Sequence, residues 1–109
     1  MPRMGRLNLP GGLFHVMGRG LERRQIFSNA SDKQDFLDRL DEGLAHHGHR
    51  CYAWALMDNH YHLLLRQGDV SVSSMMGVLL GGYAQGYNKR NKRAGYLYQG
   101  RFKKGDGGN

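Results

Sequence analysis

The stretch from His49 to Leu65 most constrains the fold of this chain. Two runs of residues that alternate or are continuously apolar, His49 to Met57 and His60 to Leu65, are separated only by Asp58-Asn59. A short Asx-rich break between two such runs predicts a tight turn and an antiparallel β-hairpin. Side chains alternate across a strand, so His60 and His62 share one face while Tyr61 and Leu63 take the other. The apolar face can pack on helices; the imidazoles then face a cleft. Neutral imidazoles at a fixed spacing make a candidate metal clamp, and any further ligand has to come from elsewhere in the chain. Two histidines hydrogen-bonded in a polar groove, with no metal, are the alternative.

The other elements follow from periodicity. Leu13 to Arg19 reads as a first strand, with His15, Met17 and Arg19 on one side and Phe14 and Val16 on the other. A basic loop from Gly20 to Ile26 carries Arg23 and Arg24. Ser31 and Gln34 have capping-box spacing, and Phe36, Leu37, Leu40 and Leu44 recur at helical spacing, which predicts a first helix over 32–47 ended by Gly48. Within the second strand, Tyr52, Trp54 and Leu56 alternate against Cys51, Ala53 and Ala55. Val72, Met75, Met76, Leu79, Leu80, Tyr83 and Tyr87 predict a second, longer helix to about Arg90, its glycines at 77, 81, 82 and 86 reading as close packing on the sheet. The alternating segment 96–103 is expected as the last strand. Residues 1–10 read as a flexible arm and 105–109 as a disordered tail, leaving 11–104 as the folded domain. The order βαββα followed by a weaker β predicts an α+β fold, an antiparallel sheet with both helices on one face and the histidines on the open one.

Charge points to a partner. Sixteen Lys and Arg against nine Asp and Glu give a formal charge of +7, which favours a polyanion. Seven of the basic residues lie between Lys89 and Lys104, where there is no acid, whereas five of the acids lie between Asp32 and Glu42. The first helix should therefore turn an acidic face away from nucleic acid, and the tyrosines within the basic stretch are suited to stacking on bases. A single cysteine excludes an intramolecular disulfide, and no signal-like or membrane-spanning run is present in the sequence, so a cytoplasmic setting is expected.

Four blocks carry a resemblance. They are Phe14-His15-Val16-Met17-Gly18-Arg19-Gly20 with Arg23-Arg24 and Ile26-Phe27; Leu56-Met57-Asp58-Asn59-His60-Tyr61-His62-Leu63-Leu64-Leu65; Gly82-Tyr83-Ala84 with Tyr87-Asn88-Lys89-Arg90; and Gly95-Tyr96-Leu97-Tyr98-Gln99-Gly100-Arg101-Phe102-Lys103. In this order and spacing the chain resembles the HUH single-tyrosine transposases, especially the REP-associated, insertion-sequence-200-like branch. The resemblance implies a ferredoxin-like, RRM-like fold whose histidine pair, here His60 and His62, binds Mg²⁺ or Mn²⁺. It implies cleavage and rejoining of single-stranded DNA beside a recognised hairpin, through a 5′-phosphotyrosine that conserves the bond energy for strand transfer. Arg19, Arg23, Arg24, Lys89, Arg90, Arg93, Arg101 and Lys103 are the expected nucleic-acid contacts.

The family's nucleophilic tyrosine lies on a helix beyond the Gln-Gly-Arg-Phe block, and that helix commonly supplies the third metal ligand. Here Asn109 follows Phe102 by seven residues. The expectation is a C-terminally incomplete transposase domain, with no catalytic tyrosine, a weak metal site and no cleavage activity on its own. A non-enzymatic DNA- or RNA-binding module is the alternative. Monomer and homodimer both stay open.

Overall fold

The computed structural model describes residues 12–100 and 102–106, the last four by backbone alone. The order is β1 (Leu13–Arg19), a short 3-10 turn (Leu21–Arg23), α1 (Ala30–His47), β2 (Arg50–Met57), β3 (His60–Arg66), α2 (Val72–Arg90) and β4 (Lys103–Asp106). The strands form one antiparallel sheet in the order β2-β3-β1-β4. β3 enters the sheet between the two strands that α1 connects, and β1 lies between the two that α2 connects. Two crossovers of the same kind put both helices on one face, the predicted α+β, ferredoxin-like plan.

Alternation decides which side chains meet the helices. Phe14 and Val16 of β1, Leu56 of β2, and Tyr61, Leu63 and Leu65 of β3 are buried together with Phe36 and Leu40 of α1 and Val72, Met75, Met76, Leu79, Leu80, Tyr83 and Tyr87 of α2. His15, Met17, His60, His62 and Leu64 alternate with them and are only half buried. The hairpin turn is Asp58-Asn59, as its residue types predict.

Five local expectations need correction. Helix α1 starts two residues earlier than the capping box predicted. Asn29, not Ser31, is its N-cap; its Oδ1 accepts from the Asp32 N–H at 2.9 Å, and Asp32 Oδ2 accepts in return from the Ser28 N–H at 2.9 Å. Asn and Asp at that spacing satisfy the free amides as well as Ser and Gln would, and burial of Asp32 selects the pair. Gln34 instead donates to Asp38. The helix ends as predicted, with Gly48 in the left-handed region at φ 72°.

Strand β2 breaks its alternation at Tyr52, where the pairing passes from Cys51–Leu65 to Ala53–Leu64 and leaves Tyr52 as the extra residue of a bulge. Tyr52 joins Arg66 on the open face, whereas Trp54, opposite Leu63, lies at the sheet edge with 55% of its surface exposed. The α2 glycines do not pack on the sheet. A Cβ at Gly77 or Gly81 would meet nothing within 4 Å, and at Gly82 and Gly86 it would meet the ends of Arg39, Arg90 and Asp35. The close helix contact is made instead by Gly43 of α1, where a Cβ would lie 2.8 Å from Met75 of α2.

The last strand is displaced. Residues 96–100 make only an isolated bridge, Gly20 to Tyr98, and β4 pairs Lys103 to Asp106 with Met17 back to Phe14. Gly105 and Asp106, expected in a disordered tail, are therefore in the sheet, because ladder pairing with β1 is a backbone interaction that needs no apolar side chain. The arm 1–10 and residues 107–109 lie outside the described residues.

Candidate metal and nucleic-acid site

The site grows from the hairpin turn. The Asp58 carbonyl accepts from the N–H groups of Ile26 (2.8 Å) and Phe27 (3.1 Å), and the Asn59 carbonyl from Gly20 N–H (2.9 Å). These bonds draw the basic loop over the end of the sheet. Within the loop Glu22 (φ 52°) and Arg23 (φ 64°) adopt left-handed backbone, a strained state for side-chain-bearing residues that the surrounding bonds must hold. Asn59 Nδ2 donates to the Arg23 carbonyl at 3.4 Å, and Asn59 Oδ1 faces His60 Nδ1 at 2.9 Å. Loop and histidine are thus tied through one amide.

His60 stands opposite Arg19 and Met57, and His62 opposite Met17 and Ala55. The two imidazoles lie 5.1 Å apart between centroids, at 89° to each other. They line a cleft of about 430 Å³ with Met17, Arg19, Arg23 and Asn59. Behind it, His15 Nε2 lies 2.9 Å from His62 Nδ1, with the two rings parallel to 3° and 5.1 Å apart. Partial burial lowers the pKa of His62, and repulsion from His15 and then His60 lowers it further, which favours the neutral, metal-competent imidazole. A shallow groove of about 340 Å³ continues from these rings over Ala53, Ala55 and Leu64. Open-face Tyr52 lies beyond, its hydroxyl accepting from Arg66 Nε at 2.8 Å and its ring 5.4 Å from that guanidinium.

The predicted basic residues separate into groups. Arg19 and Arg23 line the histidine cleft. Arg24 turns toward the other side of the loop, where Nη1 donates to the Tyr96 carbonyl at 3.1 Å and the guanidinium lies 5.8 Å from the Tyr87 ring. Arg90 is on the helix layer, bonded to Asp32 at 2.7 Å and Asp35 at 2.8 Å. Lys89 and Arg93 are exposed at and just beyond the end of α2. Lys103 is in β4 beside Met17, and Arg101 lies outside the described residues.

Tyrosines do not reach the histidines. The Tyr83 hydroxyl donates to the Ile26 carbonyl at 2.6 Å and Tyr98 to the Leu80 carbonyl at 2.9 Å, while Tyr87 bonds to Ser28 and to the Gln25 carbonyl. Burial raises the pKa of Tyr61, Tyr83 and Tyr98 well above the ordinary phenol value. Among the described residues no tyrosine lines the histidine cleft, and no three His, Cys, Asp or Glu side chains are grouped to hold a metal ion.

The family model for the IS200-like transposases matches residues 11–107, almost the whole chain and all four sequence blocks. The chain belongs to this family. The sequence matches no curated protein. Two solved structures share the fold of this transposase-family chain. One is a REP-associated tyrosine transposase bound to a REP hairpin, with a TM-score of 0.69 and 16% identity over 97% of the present chain and 62% of the other. The second is a protein from Deinococcus radiodurans R1 described as a transposase, with a TM-score of 0.68 and 18% identity over 95% of the present chain and 84% of the other. The transposase-family chain thus spans less than two thirds of the hairpin-bound protein's length. Among the described residues no helix is long and apolar enough to cross a membrane.

Asn59, read from the sequence only as a turn residue, and His15, read only as a strand residue, are functional residues of this site that sequence reasoning missed. Alternation placed His15 on the side of Met17 and Arg19. Its partner is set by strand register, which no local pattern specifies.

Proposed function

We propose that this chain is a DNA-binding transposase domain that takes a DNA hairpin with a single-stranded flank and holds Mg²⁺ or Mn²⁺ between His60 and His62. The observation that carries this reading is the shared cleft: two imidazoles, each engaged at Nδ1 and so presenting Nε2, with two arginines, Arg19 and Arg23, on its walls. Two imidazole nitrogens would fill only part of the shell of such a cation, which prefers oxygen donors, so phosphate oxygens and water would have to supply the other positions. A divalent cation bound there supplies Lewis-acid polarisation of a backbone phosphate. Arg19 and Arg23 place positive charge where a phosphate would approach. No acidic side chain lines the cleft among the described residues, which suits a polyanion.

A hairpin as the ligand is supported by the hairpin-bound transposase of the same fold. A single-stranded flank is supported by the groove over Ala53, Ala55 and Leu64 and, separately, by the exposed Tyr52 ring on the open face, a surface suited to an unpaired base. Strand cleavage and rejoining through a phosphotyrosine is the family's implied chemistry. To the described residues we assign binding and orientation, not the nucleophile.

The test is an electrophoretic mobility assay with a labelled hairpin carrying a single-stranded flank, in Mn²⁺. Retarded mobility, strong salt dependence and no adduct surviving denaturant are expected. Equal affinity for a flankless duplex would overturn the hairpin-and-flank reading. Preference for a matched RNA hairpin would favour an RNA-binding module.

A further inference from the structure

We infer that His15 is a positioning residue for His62: it accepts a hydrogen bond from His62 Nδ1 and so keeps the Nε2 lone pair directed into the cleft. This rests on the metal reading above. The geometry is the 2.9 Å approach of His15 Nε2 to His62 Nδ1, between rings parallel to 3°. It arises from the register of the two central strands. His15 pairs with Leu64 and Met17 with His62, so His15 and His62 are diagonal neighbours on the open face, within reach of ring-length side chains.

A neutral imidazole has one N–H and one lone pair, and the partner at one nitrogen decides which is which. For His62 to offer Nε2 to a cation, its Nδ1 must carry the proton. His15 Nε2 then accepts, and the His15 proton resides on its own Nδ1. The facing nitrogen of His15 is thereby committed to this bond, which leaves His15 behind the cation rather than among its ligands. Metal-binding histidines are usually oriented by a carboxylate or a carbonyl. A carboxylate would put negative charge beside a cleft meant for phosphate. An imidazole acceptor orients His62 without that repulsion.

The experiment compares wild type, His15→Leu and His15→Gln. Glutamine Oε1 can replace histidine Nε2 as acceptor; leucine cannot. Mn²⁺ affinity, followed by the electron paramagnetic resonance signal of free Mn²⁺, should fall about tenfold in His15→Leu and largely return in His15→Gln. Imidazole ¹⁵N shifts of the metal-free protein at one fixed pH give a second readout. His62 should be the Nδ1–H tautomer in wild type and His15→Gln, and lose that preference in His15→Leu. Unchanged affinity and tautomer in His15→Leu would overturn the inference, as would equal losses in both variants, which would mean that the ring and not its acceptor matters. If wild type binds no Mn²⁺ the metal reading fails, and the tautomer decides alone. An Nε2–H His62 in wild type then overturns the inference, and an Nδ1–H form lost in His15→Leu supports it. The wild-type tautomer also keeps the inference testable if His15→Leu does not fold.

Discussion

Asn59 determines which nitrogen His60 offers to the cleft. The Arg23 carbonyl can only accept, so Asn59 turns its NH₂ toward it and its Oδ1 toward His60 at 2.9 Å. A carboxamide oxygen also only accepts, so His60 Nδ1 carries the proton and Nε2 keeps the lone pair. Asn59→Ala should therefore weaken Mn²⁺ binding by roughly tenfold and release the Arg23 loop. Asn59→Asp keeps the acceptor for His60 but loses the donor to the Arg23 carbonyl and adds a negative charge, so it should retain Mn²⁺ binding but weaken hairpin binding. Titration with Mn²⁺ and a mobility assay on each variant separate the two effects.

Arg90 is expected to act on stability rather than on nucleic acid. The Asp32 carboxylate is fully buried, accepts from Ser28 N–H on one oxygen and pairs with Arg90 on the other. Arg90→Ala leaves a buried charge without its cation and should cost about 2–3 kcal/mol, below the full range for a buried pair because the guanidinium is partly exposed. A lower urea midpoint with unchanged hairpin affinity of the folded protein is the expected result. A large loss of affinity without a loss of stability would return Arg90 to the binding surface.

Arg19 and Arg23 should show the opposite behaviour. Both line the histidine cleft, and neither has a carboxylate partner among the described residues. Alanine at either position should leave the urea midpoint nearly unchanged and weaken hairpin binding. The log–log salt slope should fall by roughly 0.7 for each phosphate of single-stranded DNA that the substituted arginine no longer neutralises. An unchanged slope in both variants would remove them from the phosphate path.

His49 ties stability to pH. Its buried Nδ1 accepts the Gly68 N–H at 2.8 Å, holding the segment after β3 against the end of α1. Burial, with a smaller effect from His47, lowers its pKa from the ordinary 6.5. Folding favours the neutral ring, so its contribution is complete above the unfolded-state value and is lost as pH falls through the lower folded-state value. His49→Asn keeps an acceptor without a titration. Urea midpoints measured from about pH 7.5 down to about pH 5 should fall less steeply in this variant than in wild type.

Gly77 and Gly81 have open space where a Cβ would stand. Alanine at either should raise stability by up to about 1 kcal/mol, the helix-propensity difference. Thermal or urea unfolding checks this. A loss of stability would mean that these positions do pack closely, as the sequence alone suggested.

Much of the architecture was legible because it depends on local period. Tyr61, Leu63 and Leu65 alternating with His60, His62 and Leu64 define a two-faced strand whatever lies beside it, and Asp58-Asn59 closes the hairpin. Gly48 ends α1 because only a residue tolerant of positive φ suits that cap. Local pattern failed where a distant partner chose between alternatives. Asn29 and Ser31 are both good cap residues, and the cap that forms is the one that lets Asp32 meet Arg90, 58 residues away. The bulge at Tyr52 and the displaced β4 are register choices made by backbone pairing with β3 and β1.

The same division runs through the candidate site. By itself the sequence determined that His60 and His62 share the open face, because strand alternation has a fixed period of two, and that the chain carries the charge of a polyanion-binding protein. Alternation also put Arg19 on the side of His15 and Met17, but tertiary structure alone brought Arg23 to the same cleft and set Arg90 against two carboxylates behind it. Tertiary structure also decided that His15 and Asn59 stand at the Nδ1 atoms of the pair. Those contacts join residues brought together by strand register and loop docking, and hydrogen bonds of about 3 Å depend on that long-range geometry in a way that periodicity does not encode.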